Sequence, residues 1–137
     1  MAVVSEIIRV EADGTLSFGN YLATDKQKLG DFKSGADTYK VKTHNELTRF
    51  ERNDVMLLET VPGAAVHNFN LSEVRLEFNA EGTGNTRFTI GLAPDSEYNV
   101  FADGNLVDTT RSGISGKINF SKELSKDSLR HIVIEKV

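Results

Sequence analysis

The chain has 137 residues and a formal net charge of −4, with 39% hydrophobic and 26% charged residues. This composition is typical of one soluble globular domain and excludes a disordered or fibrous protein. Because its 16 Lys and Arg are scattered among 20 Asp and Glu, the charge argues against nucleic acid as a partner. The absence of Cys excludes disulfides, thiolate metal sites and cysteine nucleophiles.

The N-terminus, MAVVSEIIRVEADG, has no basic leading region, no long apolar core and no small-residue cleavage site. It therefore does not resemble a signal peptide. No segment approaches the ~20 apolar residues that span a bilayer, so a membrane is not an expected partner. We expect a cytoplasmic protein, or one exported without a recognisable leader.

Period-two alternation of apolar and polar residues dominates the chain and predicts β-strands with one face on a core. Turn signals rich in Gly, Pro, Asn and Asp separate these runs roughly every ten residues. The sequence thus predicts an all-β fold, an antiparallel β-sandwich or jelly roll of about ten short strands with hairpin connections. In chain order the runs are VSEIIRV, TLSFGNY, TYKVKT, ELTRFER, VMLLETV, AAVHNFN, SEVRLEFN, TRFTIGL, EYNVFA, NLVDT, GKINF and LRHIVIEKV.

Residues 23 to 37, ATDKQKLGDFKSGAD, interrupt this rhythm because they are mostly polar. Thr24 and Gln27 have the spacing of a capping box, and Gly30 is suited to end a helix. We interpret the segment as a connecting loop with one helical turn. The alternative is a mobile lid that presents three lysines, Lys26, Lys28 and Lys33.

Two hairpins are predicted from the middle of the chain. In NELTRFERND, residues 45 to 54, Asn53 and Asp54 suit a tight turn. Over residues 72 to 92, the glycine-rich loop AEGTGN separates two clean alternating runs, which predicts an antiparallel pair. We expect a single compact domain over residues 1 to 137, with two packed halves that meet near residues 62 to 63 as the alternative.

The dipeptide Asp-Gly occurs at residues 13 to 14 and 103 to 104, each time between alternating runs. Asp-Gly supplies the positive φ angles of a type I′ turn, so we predict hairpin turns rather than ligand sites. A calcium site needs more alternating oxygen ligands than either motif offers. Convergence of the acids near the second motif on a calcium ion is left open; they are Asp95, Glu97, Asp103 and Asp108.

Residues with catalytic or metal-binding chemistry form no recognisable motif. His44, His67 and His131 lack the spacing of a zinc site, and His67 in AAVHNFN is expected to be a packed strand residue. The sequence contains no nucleophile elbow GxSxG, no P-loop and no dinucleotide motif GxGxxG. We therefore predict no catalytic residue, no metal and no cofactor.

Two surfaces are candidates for binding. The terminal runs are apolar on both faces, which indicates strands that are central in a sheet or covered by a second chain. Tyrosine is the only residue left for an aromatic sugar platform, because Trp is absent. The candidate self-assembly interface is Val3, Val4, Ile7, Ile8, Ile132, Val133 and Ile134, and the candidate glycan platform is Tyr21, Tyr39 and Tyr98.

The C-terminal half, with TRFTIGLAPDSEYNVFADG, SGKINFS and HIVIEK, resembles the terminal β-sandwich modules of bacterial polysaccharide-degrading enzymes. SEIIRVEADGTLSFGNY, YKVKTH and LLETVPGAAVHNF resemble small bacterial all-β proteins of unassigned function, some labelled endosialidase-like. The resemblance implies a stand-alone all-β protein, and the label implies a glycan-active enzyme, although no catalytic motif of such enzymes matches.

The sequence thus favours a non-catalytic structural or interaction module that assembles with itself through sheet edges or faces, as a homo-oligomer. The first alternative is a glycan-binding accessory β-sandwich module. The second alternative is a small glycan-active hydrolase, which would need two carboxyl groups facing each other across a cleft.

Overall fold

The computed structural model describes residues 3–137, and in this range the chain is a β-sandwich of two antiparallel sheets. The predicted fold class is confirmed, with thirteen strands in the described residues instead of about ten. The strands are β1 (Ile8–Val10), β2 (Leu16–Phe18), β3 (Gln27–Ser34), β4 (Asp37–His44), β5 (Leu47–Arg52), β6 (Val55–Val61), β7 (Ala65–Leu71), β8 (Arg75–Glu81), β9 (Asn85–Gly91), β10 (Glu97–Ala102), β11 (Asn105–Arg111), β12 (Lys117–Glu123) and β13 (Arg130–Lys136).

The strands divide into two sheets that face each other. Sheet I has seven strands in the order β1-β2-β7-β8-β13-β10-β11, and sheet II has six in the order β12-β9-β6-β5-β4-β3. The edges are therefore β1 and β11 in sheet I, and β12 and β3 in sheet II. Consecutive strands form hairpins in sheet II from β3 to β6. The chain crosses from one sheet to the other before β3, β7, β9, β10, β12 and β13.

The core lies between the sheets and consists largely of apolar residues that alternate along the strands, whereas Val74, in the same alternating run as Leu76 and Phe78, is exposed. Phe18, Phe50, Phe78 and Phe88 are fully buried, and the rings of Phe18 and Phe50 stack with centroids 4.1 Å apart. Buried residues from both sides of Pro62 belong to one cluster. Hydrogen-bonded pairs β2–β7 and β6–β9 also join the two halves, so the chain has one continuous core.

The predicted hairpin over residues 72 to 92 is wrong. β8 pairs with β7 and β13 in sheet I, whereas β9 pairs with β6 and β12 in sheet II. Residues 82 to 84 therefore cross from one sheet to the other. Both strands have one buried face in either arrangement, which is why their alternation does not distinguish a hairpin from a crossing.

The predicted loop with a helical turn at residues 23 to 37 is also wrong. Residues 27 to 34 form β3, which pairs with β4 along the edge of sheet II. The pairing has an irregularity between Leu29 and Phe32, and both of these side chains pack against the core. Pairing with β4 therefore overrides the weak strand propensity of this polar segment.

Three turns test the Asn-Asp and Asp-Gly predictions. Asn53 and Asp54 have φ of 51° and 66°, and Asp103 and Gly104 have φ of 51° and 86°, so the β5–β6 and β10–β11 hairpins are confirmed. The turn at residues 13 to 14 also closes a hairpin, but only its glycine has a positive φ. The type I′ prediction is therefore wrong for that turn.

Replacing Asp103 by asparagine is expected to change the free energy of unfolding by less than about 0.5 kcal/mol. Asparagine adopts the same turn, and its Oδ1 can still accept the 3.1 Å hydrogen bond from the backbone N–H of His131. The lost charge faces Arg130 at 3.3 Å in an exposed ion pair of small energetic value. Urea denaturation measures the change, and a loss above about 2 kcal/mol would contradict a pure turn role.

Candidate ligand-binding cleft

A cleft opens between the two sheets at the end of the sandwich where β3, β5 and β7 finish and β2, β4 and β6 begin. Its smaller compartment, here the tyrosine compartment, has a volume of about 250 Å³. Apolar side chains and polar side chains both line it. The apolar ones are Leu16, Leu57, Phe69 and Leu71, and the polar ones are Asp13, Thr15, Ser34, Tyr39, Arg52 and Asn70.

The larger compartment, here the basic compartment, lies next to the tyrosine compartment and is lined in part by the end of β9, the start of β12 and the end of β13. It has a volume of about 780 Å³, within the usual ~300–1,000 Å³ of small-molecule sites. Arg52, Leu57 and Leu71 line both compartments, so the two compartments adjoin each other. Its apolar lining includes Met56, Leu57, Leu71 and Leu92, and its charged lining is Arg49, Arg52, Asp54, Glu73, Lys117 and Lys136.

Tyr39 is held in a fixed position in the tyrosine compartment. Its ring stacks on that of Phe50 with centroids 5.4 Å apart and 10° between the planes, and Phe50 in turn stacks on Phe18. Burial raises the pKa of the Tyr39 phenol, Asp37 raises it further, and the nearby Arg52 guanidinium partly opposes both. The side chain is half-buried and therefore presents an aromatic body with a neutral hydroxyl beside a cation.

A hydrogen-bonded group of polar residues forms the opposite side of this compartment. Asp13 Oδ1 accepts hydrogen bonds from the Thr15 backbone N–H at 3.0 Å and from its hydroxyl at 2.6 Å. The Thr15 hydroxyl oxygen accepts a hydrogen bond from Asn68 Nδ2 at 3.1 Å. The bond from the Thr15 hydroxyl is the main reason that the pKa of Asp13 is lowered, so this carboxylate is ionised at neutral pH.

The charges of the basic compartment are unevenly compensated within residues 3–137. Asp54 pairs with Lys40 at 2.7 Å, and Arg49 lies 3.0 and 2.9 Å from two carboxylates of its own sheet. Three lining cations, Arg52, Lys117 and Lys136, make no ion pair with another described residue. Glu73 is the one lining acid of this compartment that makes no ion pair with another described residue. Three cations without an ion pair therefore outnumber one such acid, so the basic compartment has a positive surplus in a protein with a net charge of −4.

The three tyrosines predicted as a glycan platform do not form one surface. Tyr39 lines the tyrosine compartment, and Tyr98 lines the basic compartment but is almost fully buried, with its hydroxyl oxygen 3.0 Å from the backbone N–H of Ala93. Tyr21 lies at the opposite end of the sandwich, is buried, and donates a 2.7 Å hydrogen bond to Glu81 Oε2. Tyr39 alone keeps the expected character of a sugar-binding aromatic.

The structure places the predicted terminal-strand interface mainly inside the protein. β13 lies between β8 and β10, with Ile132 and Ile134 in the core and Val133 buried on the other face. Val4 and Ile8 are buried, and Val3 and Ile7 are partly buried. Side chains already covered within one chain cannot cover a second copy, so the two-faced apolar pattern reflects a central strand and a packed N-terminal segment.

The acids considered for calcium do not converge. Asp95 and Glu97 lie at the start of β10, whereas Asp103 lies in the turn beyond its other end, and Asp108 lies midway along β11. Six residues of strand separate the two ends by roughly 20 Å. Within residues 3–137, no group of three or more His, Asp or Glu side chains is arranged to hold a metal ion.

A buried polar cluster lies at the end opposite the cleft. His67 is a packed strand residue as predicted, whereas its proximity to Glu81 is not predicted from the sequence. His67 Nε2 lies 3.8 Å from Glu81 Oε1, and Glu81 Oε2 also accepts a hydrogen bond from the backbone N–H of Asp127 at 3.2 Å. Burial is the main cause that raises the pKa of Tyr21, and its bond to Glu81 adds to the effect. Glu81 lies on the outward face of β8 together with Glu77 and Asn79, so its burial depends on covering loops that period two does not describe.

No signal in the sequence marked Arg52, Lys117 and Lys136 as cleft residues, because each is an ordinary charged residue at a strand end.

None of three comparisons, with protein families, with curated proteins and with solved structures, found a match to this chain. The described residues also contain no helix that is long and apolar enough to cross a membrane. The geometry of the cleft is therefore the basis for a functional assignment.

Proposed function

We propose that the protein is a non-catalytic binding module whose cleft holds an acidic oligosaccharide. The observation that carries this proposal is the juxtaposition, in two adjoining compartments, of an aromatic ring, an apolar floor and three cations that make no ion pair with another described residue. Sugars combine apolar ring faces with many hydroxyl groups, and an acidic sugar adds a carboxylate or sulfate. Each of these features has a matching group in the cleft.

The tyrosine compartment suits the neutral part of such a ligand. The Tyr39 ring offers an apolar contact, and its stacking on Phe50 fixes the ring before a ligand binds, which reduces the entropy cost of binding. Asp13 accepts hydrogen bonds, whereas Ser34 and Asn70 can both donate and accept them. Sugar hydroxyls both donate and accept, so this mixture fits them.

The cations suit the anionic part of the ligand. The planar guanidinium of Arg52 can bind a carboxylate or sulfate through two parallel hydrogen bonds. Arg52 lines both compartments, so an anion bound there leaves the rest of the ligand next to Tyr39. Lys117 and Lys136 add positive charge farther along the cleft, which favours an oligosaccharide with several acidic units.

Two of the three carboxylates that line the cleft, those of Asp13 and Asp54, have properties that favour binding over hydrolysis. A glycoside hydrolase needs one carboxylic acid that carries a proton at neutral pH. The lowered pKa of Asp13 leaves this group ionised, and the carboxylate of Asp54 is engaged by Lys40 at 2.7 Å. These are properties of hydrogen-bond acceptors and ion-pair partners, not of a general acid.

A glycan array that carries uronic, sialylated and sulfated oligosaccharides beside neutral ones tests the proposal. We expect binding to acidic glycans only, and isothermal titration with the best of them should give an affinity that Arg52→Ala lowers about tenfold or more. Arg87→Ala removes an exposed arginine from the outer face of β9 and is the matched control. No acidic binder, or equal affinity of Arg52→Ala and wild type, would overturn the proposal.

A further inference from the structure

The four edge strands of the sandwich differ in how well they are protected from pairing with another strand. An edge presents unpaired backbone N–H and C=O groups, and proteins protect such edges with short strands, lysines, prolines or bulges. β1 has three residues only. β3 carries two exposed lysines and an irregularity, and β12 carries Lys117 and Lys122.

β11 is the least protected of the four. It has seven residues, NLVDTTR, of which six are exposed, and it contains neither lysine nor proline. Its exposed side chains include Leu106 and Val107, 57% and 49% accessible, and Ile114 shortly beyond the strand is 91% accessible. An irregularity in its pairing with β10 affects Val107, but Asp108 to Arg111 continue in regular register. This part of the edge is open to a further strand.

The charge pattern of β11 is compatible with a second copy of the chain as its partner. The strand carries one acid, Asp108, and one base, Arg111, so it has no net charge and does not repel its own copy. β12 and β3 each carry more cations than acids and would repel theirs. A two-fold axis at Thr109 places Asp108 opposite Thr110 of the second copy, so no like charges face each other.

We propose that two copies of the protein associate through antiparallel pairing of their β11 strands, which joins both copies of sheet I into one continuous sheet. Leu106 pairs with the half-buried Phe101 on the outer face of sheet I, and the second copy covers part of this apolar surface. β11 does not line the cleft. The proposed dimer and the proposed binding of glycans can therefore be tested independently of each other.

Sedimentation velocity over a range of concentrations tests the dimer in the full chain. Wild type is expected to shift from monomer to dimer as concentration rises. Val107→Lys is expected to remain a monomer, because the axis at Thr109 places the new ammonium group opposite Arg111 of the second copy. Val10→Lys introduces the same charge on the β1 edge, where Val10 is 45% exposed, and should still dimerise. A wild type that is monomeric throughout, or a Val107→Lys variant that dimerises like Val10→Lys, overturns the proposal.

Hydrogen exchange in the wild type gives a measurement that does not depend on any variant. The outward-facing amides of β11 should exchange more slowly at high protein concentration, whereas those of β3 and β12 should not change. Equal exchange of the β11 amides at all concentrations also overturns the proposal, even where Val107→Lys fails to fold.

Discussion

Replacing Phe50 by alanine is expected to lower the free energy of unfolding by about 3–5 kcal/mol. Phe50 is fully buried between the sheets, and the centroid of its ring lies 4.1 Å from that of Phe18, 5.4 Å from that of Tyr39 and 5.1 Å from that of Phe69. Replacement by alanine removes the buried ring. It leaves a cavity that the four strands carrying Phe50 and its neighbouring rings cannot close. Urea denaturation of the variant and of Val55→Ala, an exposed control, measures the difference.

The same variant is expected to weaken glycan binding, because the Tyr39 ring loses the surface on which it stacks. Phe50→Leu fills more of the volume and should be intermediate in both stability and affinity. A loss of less than about 1 kcal/mol in Phe50→Ala would contradict a close-packed aromatic core. Unchanged affinity in a folded variant would show that Tyr39 does not depend on Phe50.

Replacing Gly63 by alanine is expected to lower the free energy of unfolding by at least about 3 kcal/mol. A Cβ atom at this position would clash with the backbone oxygen of His44, and a backbone atom cannot move aside as the end of a side chain can. The N–H of Gly63 also donates a 3.1 Å hydrogen bond to the Asn45 oxygen, which a shift of the backbone would break. Thermal and urea denaturation measure the loss.

Gly104→Ala is the matched control because Gly104 is favoured by its positive φ angle and not by a lack of space for a side chain. Gly104 has a φ of +86°, and nothing lies within 4 Å of its added Cβ, so only backbone strain of about 1–2 kcal/mol is expected. Gly63 has no positive φ, so only the steric clash acts there. Equal losses in the two variants would contradict this separation of clash from strain.

Alternation along the chain predicted which residues are buried, because a side chain's face depends only on local backbone geometry. Phe78 in β8 and Phe88 in β9 are both buried as predicted. The assignment of strands to sheets depends on long-range contacts. For that reason the prediction that β8 and β9 pair with each other is wrong. The edge strand β3 was missed because its polar residues become a strand only through pairing with β4.

The candidate site was predictable only in part. The residue type of Tyr39 predicts a contact with sugars, and the structure places its side chain in the cleft. Tyr21 has the same residue type, but burial against Glu81 removes it from any surface. Arg52, Lys117 and Lys136 come from the ends of three strands in two sheets, so their proximity depends on the complete topology. Residue type predicts the chemistry of a site, whereas strand order determines which residues meet.

The central position of β13 bears on the order in which the protein can be assembled during synthesis. Until residues 130 to 136 have left the ribosome, β8 and β10 both lack a neighbour in the middle of sheet I. A nascent chain that ends earlier has two extra open edges and lacks the core side chains Ile132 and Ile134. Sheet I is therefore expected to be completed only after residues 130 to 136 have been made, when β13 inserts between two strands that precede it in the chain.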